Sequence, residues 1–303
     1  MAESSPVLTL RDLDGASFPG TALAVLGQPI KHSISPTLHH AALAEMAQTN
    51  PEFANWRYYR FEVAPADLPE ALAKLHAKKF HGLNLTVPHK VLAVEHLAGI
   101  EPAARDVGAV NTLKWTSQGW FGYNTDGYGL AMALRDDLQC ELAGADVLLL
   151  GAGGAARGAA VECLRRKCAS LIIVNRSPES LRALLSRLTP LARGIPVRGI
   201  APHALPSDVP PRMLVINATS AGLRETDAPP VDLTALPSPR AVYDMIYNPA
   251  VTPLLRTAAA LGIAHANGLS MLVHQGARAL ELWSNAQVPV PAMMQAARRS
   301  VQS

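Results

Sequence analysis

The residues best placed to do chemistry lie in the middle of the chain, in "LLLGAGGAARGAAVECLRR". Gly151, Gly153 and Ala156 fit a G-x-G-x-x-G/A turn between an apolar strand-like run and a helix-like one, with Ala152, Gly154 and Ala155 completing it. Small residues at such a turn let backbone N–H groups approach a pyrophosphate seated on a helix N-terminus. The motif alone also fits a tight turn that binds nothing. Here strand, turn, helix and a second strand follow in the right order, which favours a dinucleotide. The second strand ends "IIVNRS". Where an acidic residue would hold a ribose 2′-hydroxyl, this chain has Arg176, flanked by Asn175 and Ser177. A guanidinium there would pair with a 2′-phosphate, so NADP is expected over NAD.

A dinucleotide domain needs something to reduce or oxidise, and the N-terminal part carries four polar clusters. These are Ser33 and Ser35 in "KHSISP"; Asn84, Thr86 and Lys90 in "NLTVPHK"; Asn111 in "GAVNTL"; and Asp126 in "GYNTDGYG". Each has a plain structural reading. Ser35 and Asp126 suit helix caps, Asn111 suits a turn, and Asn84 and Thr86 could bond to a neighbouring strand. Lys90 fits less easily. "GLNLTV" has strand period, and Pro88 suits the first turn of the helix that "HKVLAVEHL" predicts. A lysine in that turn faces the positive end of the helix dipole. Local violations of this kind are expected at functional sites.

Two rhythms of elements would position these groups. Residues 22–126 alternate strand-like segments such as "ALAVLG" and "RYYRFEV" with helix-like ones such as "SPTLHHAALAEMA", where Ser35 would cap and Pro36 open the helix. From Asp146, "DVLLLG", "SLIIVN", "IPVRGI", "MLVINA", "RAVYDM" and "GIAHAN" are short buried-type strands, which argues for a parallel sheet covered by helices. Beyond Gly268 the chain is helical. The fold expected is α/β: an N-terminal substrate domain over 1–126, completed by helices in 268–303, and a Rossmann-like doubly wound domain over 127–267.

Together the clusters closely resemble one family. "GQPIKHSISPTLHHAAL", "GLNLTVPHK", "GAVNTL", "GYNTDGYG", "GAGGAARG", "VNRS", "NATSAGL", "YDMIYNPAVTPLL" and "GLSMLVHQGARALELW" are similar, in order, to the signature blocks of shikimate dehydrogenase. The resemblance implies a cleft between the two domains where NADPH reduces 3-dehydroshikimate to shikimate, a step toward chorismate and the aromatic amino acids. Position by position, it gives Ser33, Ser35 and Tyr247 to the substrate carboxylate. Asn84, Thr86, Asn111 and Gln275 would take its hydroxyls and ring, and Lys90 with Asp126 would form the catalytic pair. The glycine-rich turn would take the pyrophosphate and Asn175-Arg176-Ser177 the adenosine side. Thr219, Met245 and Gly268 would face the nicotinamide. "NRSPESLR" lacks the basic residue often found near Ser180 and has Glu179 close by, which weakens the expected NADP preference unless Arg182 reaches in. His40 replaces a common asparagine, with little consequence expected.

Two other readings stand beside this one: a quinate/shikimate dehydrogenase of broader taste, and a non-catalytic sensor. In the family, threonine at the second serine of S-x-S goes with quinate use, so Ser35 favours shikimate. Lys90 and Asp126 would be free to drift in a sensor, and both are present.

Bulk properties agree. An apolar fraction of 49% with 17% charged residues is globular, and 27 − 24 = +3 is too mild a net charge for a nucleic-acid surface. Three cysteines without metal spacing read as free buried thiols in a reducing, cytoplasmic setting. Among ten histidines no H-x-x-x-H or H-E-x-x-H pair occurs, so no metal is expected. Neither a secretory signal nor a membrane span is expected. The partner is then a small-molecule substrate, and a homodimer is compatible with the chain.

Overall fold

The computed structural model describes residues 6–202 and 209–302. The chain divides into two compact units, one running to Thr125 and resuming at Gln275, the other spanning Asp126–His274.

The first unit contains β1 (Val7–Thr9), α1 (Asp12–Gly15), β2 (Thr21–Gly27), α2 (Ser35–Thr49), β3 (Trp56–Glu62), α3 (Leu68–Ala77), β4 (Gly82–Leu85) and α4 (His89–Leu92). β5 (Gly99–Ile100), α5 (Pro102–Val107), β6 (Thr112–Thr116) and β7 (Gly119–Tyr123) follow. Its seven-stranded sheet has the order β1-β3-β2-β4-β6-β7-β5. β1 through β4 run parallel, and β6 turns back against β4. β2, "TALAVLG", is paired on both sides and buried along nearly its whole length, as an interior parallel strand requires. One apolar core gathers Leu26, Phe61, Leu72, Leu75, Phe80 and Trp120.

The second unit contains α6 (Asp126–Leu138), β8 (Asp146–Leu150), α7 (Gly154–Arg165), β9 (Ser170–Val174), α8 (Pro178–Ala192) and β10 (Val197–Ile200). β11 (Leu214–Asn217), β12 (Ala241–Asp244), α9 (Pro253–Ala260) and β13 (Ala264–Asn267) complete its sheet. The order β10-β9-β8-β11-β12-β13 is parallel throughout, the doubly wound order expected. Both faces of β8, β9 and β11 are buried, so "DVLLL", "SLIIV" and "LVIN" read as unbroken apolar runs and not as alternating ones.

α10 (Leu269–Ser284) begins in the second unit and ends in the first, where α11 (Val290–Gln302) follows. The C-terminal half of α10 closes the first sheet. The Trp283 indole donates to the Leu113 carbonyl at 2.9 Å, and Lys114 Nζ to that of Leu282 at 2.6 Å. A Cβ on Gly82 would run into the same indole, so glycine is required there. The three cysteines are free and buried. Among the described residues no helix is long and apolar enough to cross a membrane, and no cluster of His, Cys, Asp or Glu could hold a metal ion.

Three local expectations need correction. Ser35 is the first residue of α2 and not its cap; Ile34 holds the cap position, and the Ser33 hydroxyl accepts from the Ser35 N–H at 3.4 Å. Pro88 precedes α4 after a cis peptide and does not lie inside its first turn. α4 itself is four residues long, followed by a 3-10 turn. So few aligned peptides sum to little macrodipole, and Lys90 opposes less of it than a full helix would impose.

Candidate active site

In the first unit the polar residues singled out by sequence converge on one edge of the sheet. Ser33 and Ser35 follow the carboxyl end of β2, Thr86 and Lys90 follow that of β4, and Asn111 immediately precedes antiparallel β6. Carboxyl ends of parallel strands are where α/β sheets hold ligands, because loops there leave backbone and side chains free to turn outward. Ser33, Ser35, Thr86 and Lys90 are half-buried, while Asn84 and Asn111 are buried. A Cβ on Gly27 would strike the Thr86 methyl, so the end of β2 is pared down to admit Thr86.

Asn111 is the centre of this edge. Its side-chain oxygen accepts from the Thr125 N–H at 2.8 Å, and its amide donates to Thr125 Oγ1 at 2.9 Å and Gln275 Oε1 at 3.3 Å. The structure thus joins Asn111 to Gln275 across a long stretch of sequence. Asn84 donates to the Asn111 carbonyl and to Thr112 Oγ1, both at 3.1 Å, and accepts from the Tyr58 phenol at 2.7 Å. The Lys90 backbone carbonyl accepts from Val110 N at 2.8 Å, which fixes the main chain independently of the ammonium.

Sequence reasoning missed Tyr58 and Arg60, both on β3. Arg60 is buried and donates to the carbonyls of Lys31 at 2.6 Å and Ser33 at 3.2 Å, clamping the loop that carries both serines. The sequence does not single Arg60 out, because "WRYYRFE" also carries Arg57 and Glu62, and only the sheet order shows that β3 is interior. His40 accepts from the Tyr58 N–H through Nε2 at 3.0 Å. Burial keeps it neutral by lowering its pKa, with the charge of Arg57 adding to the effect.

The second unit places Asp126 as the first residue of α6 and Tyr247 just beyond β12. Tyr247 is half-buried, and burial raises its phenol above the ordinary range. The glycine-rich turn links β8 to α7 at the point where the strand order reverses. Gly151 has φ +109°, and a Cβ there would meet Thr219 Cγ2 at 3.0 Å. Nothing lies within 4 Å of a Cβ built on Gly153 or Gly154, so the N-terminus of α7 faces open space. That room and that helix end fit a pyrophosphate. Ala152 and Ala155 flank the opening, and Ala156 packs inward.

At the end of β9 the Asn175 amide donates to the Ser177 carbonyl at 2.9 Å, and Ser177 Oγ caps α8 by accepting from Ser180 N at 3.2 Å. Arg176 is exposed and makes no hydrogen bond or ion pair with the described residues. Glu179 sits in the first turn of α8, where the dipole favours a carboxylate.

A further network missed from the sequence lies beneath Thr219 and Met245. Asp244 and Asn217, neighbours at the ends of β12 and β11, are both fully buried. Asp244 accepts from Asn217 Nδ2 at 3.0 Å, Ile246 N at 3.0 Å and Thr252 Oγ1 at 2.7 Å. Asn217 Oδ1 accepts from Thr219 N at 3.0 Å and Thr219 Oγ1 at 2.7 Å, and Thr219 Oγ1 accepts from Ala221 N at 3.1 Å. The Thr219 hydroxyl is thereby committed to the fold. A Cβ on Gly268 would collide with the Met245 carbonyl, so the chain after β13 passes directly against that of β12.

An all-parallel sheet with a glycine turn at its reversal point, together with a polar sheet edge in a separate unit, defines a Rossmann-type dinucleotide-dependent oxidoreductase. Residues 25–113 match the family described as "Shikimate dehydrogenase substrate binding domain", and residues 268–298 that described as "Shikimate 5'-dehydrogenase C-terminal domain". The shikimate dehydrogenase (NADP(+)) of Moorella thermoacetica is 38% identical over 287 residues, covering 92% of this chain and 93% of that protein. Shikimate 5-dehydrogenase from Thermus thermophilus, solved in complex with NADP(H) and shikimate, superposes with a TM-score of 0.80 at 32% identity, over 92% of this chain and 99% of that one. The ligand-free 5-ketofructose reductase of Gluconobacter sp. strain CHM43 also superposes with a TM-score of 0.80, at 30% identity, over 93% and 99%. The chain belongs to the shikimate dehydrogenase family.

Proposed function

We propose that the chain catalyses the reversible, NADP-dependent interconversion of shikimate and 3-dehydroshikimate in the cytoplasm. The observation that carries this reading is the edge of the first sheet, where Ser33, Ser35, Asn84, Thr86, Lys90, Asn111 and Gln275 gather in a member of this family. Ser33 and Ser35, with Tyr247, take the substrate carboxylate. Asn84, Thr86, Asn111 and Gln275 take its hydroxyls and ring. Lys90 and Asp126 are the catalytic residues, Lys90 giving a proton to the C3 oxygen in reduction and recovering it in oxidation. The turn from Gly151 to Ala155 holds the pyrophosphate, residues 175–177 the adenosine end, and Thr219, Met245 and Gly268 the nicotinamide side. When bound, NADPH supplies the hydride.

Fold alone does not select the substrate, since a 5-ketofructose reductase superposes equally well. Initial rates with shikimate and quinate, each against NADP and NAD, decide it. Shikimate with NADP should be fastest, and no turnover with shikimate would sink the reading.

Ser33→Ala should mainly raise KM for shikimate, by roughly 10- to 150-fold, because a bond to a carboxylate acts alike in ground and transition states. An unchanged KM with a collapsed kcat would contradict the carboxylate role. Arg176→Ala should cost NADP about 1.5 kcal/mol in kcat/KM, roughly tenfold, near the lower end for a charged contact because Arg176 is exposed. NAD, lacking the 2′-phosphate, should be nearly unaffected. Equal losses with both cofactors would mean that Arg176 does not read the phosphate.

A further inference from the structure

We infer that Tyr58 is a positioning residue for substrate recognition, fixing Asn84 so that it can meet a substrate hydroxyl only as a hydrogen-bond acceptor. The inference rests on the functional reading above and deepens it. Strand register puts Tyr58, Leu23 and Gly82 level with one another, and Arg60, Val25 and Asn84 likewise, so Tyr58 and Asn84 share one face of the sheet. The phenol reaches across β2 to donate to Asn84 Oδ1 at 2.7 Å.

A primary amide offers two donors and two acceptor lone pairs. Both donors of Asn84 are taken, by the Asn111 carbonyl and by Thr112 Oγ1. Tyr58 donates to Oδ1, and the His39 imidazole also stands against this amide. A flipped amide would turn its oxygen toward the Asn111 carbonyl, two acceptors facing each other. With both donors engaged, Asn84 suits an O–H group and not a carbonyl or ether oxygen.

Tyr58 itself has little freedom. It is 1% exposed, and its ring stacks on His39 with centroids 4.1 Å apart and planes 6° from parallel. Burial, with a smaller effect from His40, pushes the pKa of His39 down to about 3 against the opposing effect of the Asn84 side chain, so the stack is neutral. On the far side, a Cβ on Gly276 would lie 3.5 Å from His39 Nε2, next to Gln275 on α10. Ser35 stands beside the same phenol. One buried side chain thus sets the spacing between a carboxylate-binding serine and a hydroxyl-reading asparagine. A substrate carrying both groups at that spacing is the one selected.

The test uses Tyr58→Phe, Asn84→Ala and the double variant, with KM for shikimate and for NADP and the Tm of each. Tyr58→Phe keeps the ring and its stack and removes only the hydroxyl. It should raise KM for shikimate roughly tenfold while KM for NADP holds and Tm falls by only a few degrees. In the Asn84→Ala background the same change should add less than about threefold, since Tyr58 acts through Asn84; Asn84→Ser replaces that background if the alanine variant does not fold. An unchanged KM for shikimate, an equal rise in both KM values, or full additivity would overturn the inference. Wild-type protein that does not oxidise shikimate would instead fail the functional reading, and this inference with it; an active wild type with an indifferent Tyr58→Phe fails this inference alone.

Discussion

Replacing Lys90 by alanine is expected to lower kcat by roughly 10²–10⁴, the usual contribution of a positioned proton donor, with a much smaller change in KM for shikimate. The structure makes this a clean experiment. Lys90 is half-buried in a helix of four residues, its main chain is tied to Val110 through the backbone, and alanine is the best helix former. A Tm close to that of wild type would show that the loss of rate reports the ammonium and not a loosened fold. A kcat within a few-fold of wild type would reduce Lys90 to a structural residue and remove the proposed proton transfer.

The second large effect falls on stability. Asp244→Ala would strip the acceptor from Asn217 Nδ2, Ile246 N and Thr252 Oγ1 at once, all within a fully buried site. A buried donor left without a partner costs about 1–3 kcal/mol, so the sum is about 3 kcal/mol or more. That is a large part of the roughly 5–15 kcal/mol that holds a typical protein folded. Thermal unfolding should shift down by roughly 6–12 °C. Burial already raises the Asp244 carboxyl above its usual range despite bonds from Thr252, Ile246 and Asn217, so the charge is kept at some cost. Asp244→Asn should be milder, since its amide oxygen still serves Asn217 and Ile246. An alanine variant with wild-type Tm would show that these donors find other partners and that the network is dispensable.

The sequence was most legible where one local rule decides the outcome. β8, the turn at Gly151 and α7 could be read directly, because a buried parallel strand, a positive-φ glycine and a helix start each leave a composition mark. So could the interior strands β9 and β11. α4 was misjudged because "HKVLAVEHL" has helical composition, yet one turn gives way to a 3-10 segment that the pattern does not announce. Ser35 was read as a cap because serine before proline usually is one; the turn ending at Ser33 N→Ile30 O moved the role one step upstream. Tyr58, Arg60 and Asp244 left no usable mark. An aromatic in a strand reads as core, and whether a charged strand residue is buried depends on which strands flank it, a property of the whole sheet.

Asn111 bonds Thr125 and Gln275 with one amide, and these are the last residue of the first unit before the chain leaves it and the first on its return. Biosynthesis gives this clasp a direction. A ribosome delivers Asn111 and Thr125 early, then all of Asp126–His274, and only afterwards Gln275 and the Trp283 that fills the slot over Gly82. The inserted unit can finish folding on the ribosome while the first sheet still waits with its closing helix unmade. Premature termination near the C-terminus would therefore injure the oldest part of the nascent chain, the N-terminal sheet, and leave the middle of the protein least affected.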